Sequence, residues 1–348
     1  FYVGAGYYAE DGIGVRSSLK RYTFRANFDS RTDKLTFSAN SGVGYTKSSF
    51  IESENGVALA NPFAAAYLAL PYDVLFKADG TTAVGPGKTG ANAYDRLFHT
   101  TQLSNQIKGN LSSTLNYDIT RNVSIGGFAG LDYRQTVTER AVYPGSYAAS
   151  TAGFPGNTGS YGNGYNNSFE YIVRGNAGYK NTFADDHDVN LRFVSEYSRS
   201  YFKGFNYAGY GINEKLLNTP AGITPGTVNN RLIPAVGGFK SERALFALMV
   251  LGDYTYKGKY ILNFSVRRDG ASVLPPDTRF QTFYGVGVAW NVMKEKFAEN
   301  WTVINDLRVR ASYGSGAQAD NFPQGLYGFL PLYGQGIYAG NLTTVATT

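Results

Sequence analysis

The sequence has no cysteine and only two histidines, His99 and His187, in 348 residues. Without thiols there is neither a disulfide framework nor a thiolate metal site, and two imidazoles so far apart in sequence suggest no metal centre. Long apolar runs are missing too: nothing approaches the roughly 18 consecutive apolar residues of a transmembrane helix. No Gly-x-Ser-x-Gly elbow, His-Glu-x-x-His helix or glycine-rich phosphate loop occurs in a suitable context. The carboxylates are scattered, with no two placed for glycoside hydrolysis. The acidic stretch Asp185-Asp186-His187-Asp188 lacks the ordered Asp-x-Asp-x-Asp-Gly loop and later Glu of a calcium site and reads as a solvated turn. These absences argue against an enzyme and imply no cofactor.

What is abundant is glycine (42), tyrosine (28) and phenylalanine (23), with a slightly negative mean hydropathy. The arrangement matters more than the totals. From Leu103 to Val137, Leu103, Ile107, Leu111, Leu115, Tyr117 and Ile119 share one side of an alternating pattern. Ser104, Gln106, Lys108, Asn110, Ser112, Thr114, Asn116 and Asp118 share the other. After a turn at Thr120, Arg121 and Asn122, Val123, Ile125, Ala129, Leu131 and Tyr133 resume the apolar side. Period-two alternation defines strands with one wet face, unlike central parallel strands, which are apolar on both faces. The pattern recurs from Tyr22 to Tyr45, Phe169 to Tyr197, Phe246 to Val266 and Tyr284 to Tyr313, giving about eleven strands. Segments of about ten alternating residues with aromatic edges predict an all-β, antiparallel transmembrane β-barrel wall. The net charge of +6 is spread over the polar strand faces, so it reads as lumenal or loop charge and not as a nucleic-acid surface.

Connection length alternates. Some hairpins close with a few polar residues, whereas Lys47 to Thr101, Thr138 to Ser168 and Ser200 to Glu242 are long. Outer-membrane barrels have short periplasmic turns and longer extracellular loops, which orients the wall. Asn291 to Asp306, a longer inner connection, carries Lys294, Glu295, Phe297, Ala298 and Trp301 at helix-like spacing and predicts a short surface helix. Phe1 starts in strand-like sequence and Thr348 ends a loop-like tail. An open sheet with two free edges leaves backbone groups unpaired in lipid, so residues 1–348 are expected to be one part of a larger barrel domain.

Several motifs carry a family resemblance. Arg267-Arg268-Asp269-Gly270-Ala271-Ser272, Arg279-Phe280-Gln281-Thr282-Phe283, Ala289-Trp290, Glu295-Lys296-Phe297 and Asp306-Leu307-Arg308-Val309-Arg310-Ala311-Ser312-Tyr313-Gly314 resemble the barrel signature of the SusC/RagA-like TonB-dependent transporters of Bacteroidetes. Earlier blocks fit as well: Gly6-Tyr7-Tyr8-Ala9-Glu10-Asp11-Gly12, Lys20-Arg21-Tyr22, Asn61-Pro62, Ala66-Tyr67 and Pro71-Tyr72. The sequence departs from the pattern at Val273-Leu274-Pro275-Pro276, where the family has a polar residue and a Phe.

The resemblance implies a parent barrel of about 22 strands. The family's plug, N-terminal extension, TonB box and last strands lie outside this chain. It also implies energised import across the bacterial outer membrane. A SusD-like surface lipoprotein lids the barrel over a glycan or peptide, and TonB acts through the N-terminal region. Outer-membrane lipid is the remaining partner.

Tyr143, Tyr147, Tyr161 and Tyr165, in a Gly-, Ser- and Asn-rich loop, and Tyr207 and Tyr210 in the next are candidates for stacking on sugar rings. Loop packing or lid contact is the alternative. Arg267 and Asp269 read as a fixed pair shaping the outer rim beside Arg268 and Gly270, and Trp290 and Trp301 as interfacial anchors. Arg308 and Tyr313 belong to the last signature block. Two rivals share the alternation: a passive porin, and a surface all-β glycan-binding protein. The second requires another layer to bury Leu111, Leu115, Ile119, Ile125 and Leu131.

Overall fold

The computed structural model describes residues 1–49, 67, 72, 74–80, 93–146, 148–149, 158–316, 333–338 and 341–346. Eleven strands form one antiparallel sheet in strict chain order. They are β1 (Tyr2–Asp11), β2 (Ser18–Arg31), β3 (Leu35–Ser49), β4 (Thr100–Asp118), β5 (Val123–Val142), β6 (Ser160–Phe183), β7 (His187–Tyr210), β8 (Ala235–Tyr256), β9 (Tyr260–Ala271), β10 (Phe280–Asn291) and β11 (Arg308–Gly314). A six-residue helix, α1 (Ala93–Phe98), precedes β4. No helix among the described residues is long and apolar enough to cross a membrane.

Register carries the alternation around the wall. Leu111 pairs with Leu131, Leu131 with Tyr171, Phe193 with Val250, Val250 with Val266 and Val288 with Ala311. Each strand therefore presents its apolar set to the same side. That side is uncovered: Leu111 is 47% exposed, Ile125 46% and Leu131 37%. A soluble sandwich would bury these side chains against a second layer; here they form the outward band that lipid contacts in a barrel.

The inner turns follow from local chemistry. Lys257 and Gly258 both have positive φ (52° and 61°), and Lys259 N–H donates to Tyr256 O at 2.8 Å. Two left-handed central residues make a primed turn, whose twist matches the flanking strands. Ala184 and Asp185 repeat the device (φ 48° and 58°). Asp186 joins the two turns, accepting from Lys257 N at 2.7 Å and ion-pairing with Lys257 Nζ at 3.4 Å. These contacts, led by a hydrogen bond to Tyr256, raise the Lys257 pKa above the ordinary lysine range. Asp188 accepts from Thr182 Oγ1 at 2.7 Å, and His187 Nδ1 lies 2.7 Å from the Tyr254 hydroxyl.

Three expectations need correction. The strands are far longer at the outer end than the alternation suggests: β6 and β7 have 24 residues each. At about 3.3 Å per residue each is roughly 80 Å long, more than twice what a bilayer crossing needs. Past the apolar band the side chains become Gly, Asn, Ser and Tyr, which erases the amphipathic pattern while neighbouring strands still supply the hydrogen-bond ladder. The connection after β10 is not a helix but two three-residue 3-10 turns, Val292–Lys294 and Lys296–Ala298. The tail is not wholly loop-like, because β12 (Tyr333–Tyr338) and β13 (Asn341–Ala346) pair as a separate hairpin.

Candidate transport surface

The inward face is a hydrated, internally paired surface. Arg174 Nη2 meets Glu196 Oε2 at 2.5 Å while its guanidinium lies 5.7 Å from the Phe128 ring centroid. Lys108 Nζ lies 3.5 Å from Asp132 Oδ2. Asp253 accepts from Asn190 at 3.3 Å and Asn263 at 2.5 Å, bridging β7, β8 and β9. Arg267 Nε donates to both Asp269 oxygens, at 2.5 and 2.7 Å, and Arg267 Nη1 reaches Met249 Sδ at 3.4 Å. Such pairs contribute little stability in water; their consequence is a wall that stays wet and holds its charges in fixed positions.

One stretch of this face is cationic. An open trough of about 740 Å³ over β2 to β5 is lined by Arg21, Arg25, Lys108 and Arg134 with Asn27 and Asn40, and among the described residues no carboxylate lines it, although Lys108 is paired with Asp132 beside it. Alternation places every one of these side chains opposite the apolar band, so the trough faces the interior of a closed barrel.

At the outer end the connections are stitched together. Arg16 Nη1 donates to Leu97 O at 2.6 Å, tying the β1–β2 connection to the end of α1. Asp95, on α1, is fully buried. It lies 2.9 Å from His99 Nδ1 and accepts from Ala148 N at 2.9 Å, pinning the β5–β6 connection. A small core of Ala141, Tyr161 and Ile212, flanked by Tyr143, Tyr207, Leu217 and Ile223, joins that connection to the one after β7.

The six candidate tyrosines divide accordingly. Tyr161 and Tyr165 lie in β6, and Tyr207 and Tyr210 in β7, not in loops. Tyr161 is only 3% exposed and belongs to the core just described. The Tyr207 hydroxyl donates to Asn163 Oδ1 at 2.6 Å. The Tyr143 hydroxyl lies 3.1 Å from Thr101 Oγ1 and accepts from Asn218 Nδ2 at 3.0 Å. Tyr165 is 44% exposed and presents an open ring; Tyr210 closes β7 in register with Ser160. Tyr147, and Asn61, Pro62, Ala66 and Pro71 of the earlier motif blocks, lie outside the described residues.

The signature residues explain one another. Arg268 sits over the Phe280 ring at 5.7 Å, and a Cβ on Gly270 would come 2.5 Å from that same ring, so the glycine leaves room for the aromatic. Glu295, read from sequence as part of a motif and of a helix-like run, is the hub of the inner rim. Its carboxylate accepts from Tyr260 at 2.6 Å, Lys259 at 3.1 Å and Trp290 Nε1 at 3.2 Å. These three donors, the tyrosine hydroxyl foremost, hold its pKa below the usual carboxylate range. Trp290 meets Phe297 edge-on at 6.2 Å, and Phe297 meets Trp301 at 5.9 Å. Arg308 Nε lies 3.5 Å from Asp306, and Tyr313 stands 6.2 Å from Tyr284.

A sheet with one apolar and one polar face, closed mostly by tight turns at one end and mostly by longer connections at the other, defines a section of a large membrane-barrel wall. Comparison with known proteins specifies it further. TonB-dependent receptor P26 of Formosa agariphila is 24% identical over 336 residues, covering 92% of this chain and 31% of the relative. TonB-dependent receptor SusC of Bacteroides thetaiotaomicron is 25% identical over 244 residues, covering 66% of this chain and 21% of SusC. The solved structure of the RagAB peptide transporter superposes over 100% of this chain and 38% of its own, with a TM-score of 0.81 at 20% identity. No protein-family model matches the chain. The chain thus spans about a third of the length of the first of these relatives, and its resemblance to the SusC/RagA-like TonB-dependent transporters is borne out.

Proposed function

We propose that the parent protein is a TonB-dependent importer of the bacterial outer membrane and that this chain supplies part of its barrel wall. The observation that carries the reading is the continuous eleven-strand register with an exposed apolar face and a paired polar face, matched along its whole length by the RagA-like fold. The plug and the TonB-contacting segment belong to the parent's remaining length, consistent with the one-third coverage of the relatives. The short turns face the periplasm and the stitched connections face outward. A SusD-like lipoprotein caps that outer end, and the cargo is a glycan or peptide. Nothing in the wall makes or breaks bonds; its polar face seats the plug and lines the route. Tyr165, whose exposed ring stands on the outward side of β6 beyond the apolar band, is the strongest of the tyrosines as a lid contact and not one lining the route, whereas Tyr161 acts in loop packing.

The test is affinity purification of the tagged full-length protein from gently solubilised outer membranes. Recovery of a SusD-like lipoprotein in stoichiometric amount is the expected result. A barrel that comes out alone although that lipoprotein is expressed favours a porin or a lidless transporter.

A further inference from the structure

Cross-strand register puts like charges side by side at two places on the outward face. Lys20 pairs directly with Lys47 across β2 and β3, and Lys203 pairs directly with Lys240 across β7 and β8. All four are exposed, and no ion pair to any of them occurs among the described residues. The outward carboxylates nearest in register are engaged or offset. Glu242 is held by Arg199 at 3.1 Å, and Asp11 lies opposite Ser18, two positions from the Lys20 level. Directly opposed like charges destabilise a sheet, so two such pairs in one wall call for an anion between them.

Their height says which anion. Two residues below Lys20 and Lys47 is the pair Tyr22 and Tyr45, whose rings are 6.4 Å apart and which continues to Tyr7 at 5.1 Å. Two residues below Lys203 and Lys240 is the row of Tyr201 and Glu242, with Phe169 stacked on Tyr201 at 6.3 Å. The second site shares the aromatic row below but differs in two respects: Glu242 replaces one tyrosine in that row, and the exposed Tyr165 and Phe205 form another outward aromatic row one step above the lysines. Aromatic rings on the outward face mark the level of the membrane interface. A lysine pair within one outward-facing step of such rows lies where flexible stems reach the headgroup layer and its phosphates.

We infer that the Lys20–Lys47 and Lys203–Lys240 pairs are two clamps for the phosphate groups of outer-leaflet lipids. The inference rests on the membrane orientation proposed above. Each phosphate would take hydrogen bonds from two ammonium groups and remove their mutual repulsion, while the tyrosines below contact the lipid at the start of its acyl region. The clamps would fix the height of the wall in the membrane.

The test uses the full-length parent protein, stripped of lipid in a neutral detergent and examined by native mass spectrometry with phosphatidic acid. The variants are K20Q/K47Q, K203Q/K240Q, both together, and the matching lysine-to-arginine set. The four-site glutamine variant is expected to lose phosphatidic acid occupancy about tenfold, with the arginine set near wild type. Its thermal midpoint should equal or exceed the wild type's without lipid and fall below it with phosphatidic acid, an inversion that simple misfolding does not produce. Equal occupancy in wild type and glutamine variants would overturn the clamps, as would full stabilisation by inorganic phosphate alone. Reconstitution of the wild type into liposomes separates the two readings. A wild type that inserts while the lysines make no difference refutes the clamps only; one that never inserts refutes the membrane wall, and the clamps with it.

Discussion

The two faces of this sheet are built from alternate residues of the same strands, yet they obey different rules. On the outward face, Leu111, Leu131, Phe193 and Val250 are held in one band by register, and their exposure makes sense only against lipid. On the inward face, Lys108, Arg174, Asp253 and Asp269 each find an opposite charge or amide within 3.5 Å. The outward face is specified by solvent preference and tolerates many apolar side chains. The inward face is specified pair by pair, and water limits the energy of each pair. Damage to the first should act on assembly, whereas damage to the second should act on how the wall meets whatever fills it.

The largest expected effect breaks the outward face. Leu111→Arg or Leu131→Arg should cost about 2–4 kcal/mol near the bilayer midplane, read as lost heat-modifiable folded barrel in reconstituted membranes. Ser112→Arg, one residue away on the inward face, should cost far less; equal damage from both would contradict the assignment of faces. Asp253→Ala, which frees Asn190 and Asn263 on a solvated surface, should shift stability by roughly 1 kcal/mol or less. Hydrogen exchange should rise locally in β7 to β9, and a global loss of stability would show that this face is not hydrated.

The smallest effect lies where both faces end, at Glu295. Its folded pKa is depressed, so its stabilising contribution is present above the unfolded glutamate value and is lost as pH falls through the folded pKa. Trp290 donates to this carboxylate. The Trp290 indole N–H resonance, identified by its loss in Trp290→Phe, should therefore titrate below the ordinary glutamate range, and Glu295→Gln should flatten the curve. A midpoint at or above that range would mean that the three-donor hub does not persist in solution.

How far the sequence could be read depended on how many residues shared a signal. The alternation from Leu103 to Val137 repeats the same choice at every second position, so the strands, their faces and the tight turns at Lys257-Gly258 were legible. The outer ends were not. Tyr161 sits among Gly, Asn and Ser, which look like a loop, and only the ladder to β5 and β7 shows a strand. Its burial depends on Ile212 and Ile223, fifty and more residues away, which no local pattern relates to it. Asp95 gave no signal, because a single carboxylate is informative only once Ala148 and His99 are beside it. The connection at 291–306 has helix-like spacing, but Glu295 is drawn to Lys259, Tyr260 and Trp290 and breaks the run into two short turns.

The sequence by itself determined that these are two-faced antiparallel strands, which side is apolar, and which signature residues mark the wall, because period-two alternation and turn chemistry are local properties. Only the tertiary structure decided how far the strands run beyond the membrane, which tyrosines are buried, and that Glu295 and Asp95 anchor opposite rims. Those outcomes depend on partners supplied by other strands and connections, brought within hydrogen-bonding distance by the register of the whole sheet.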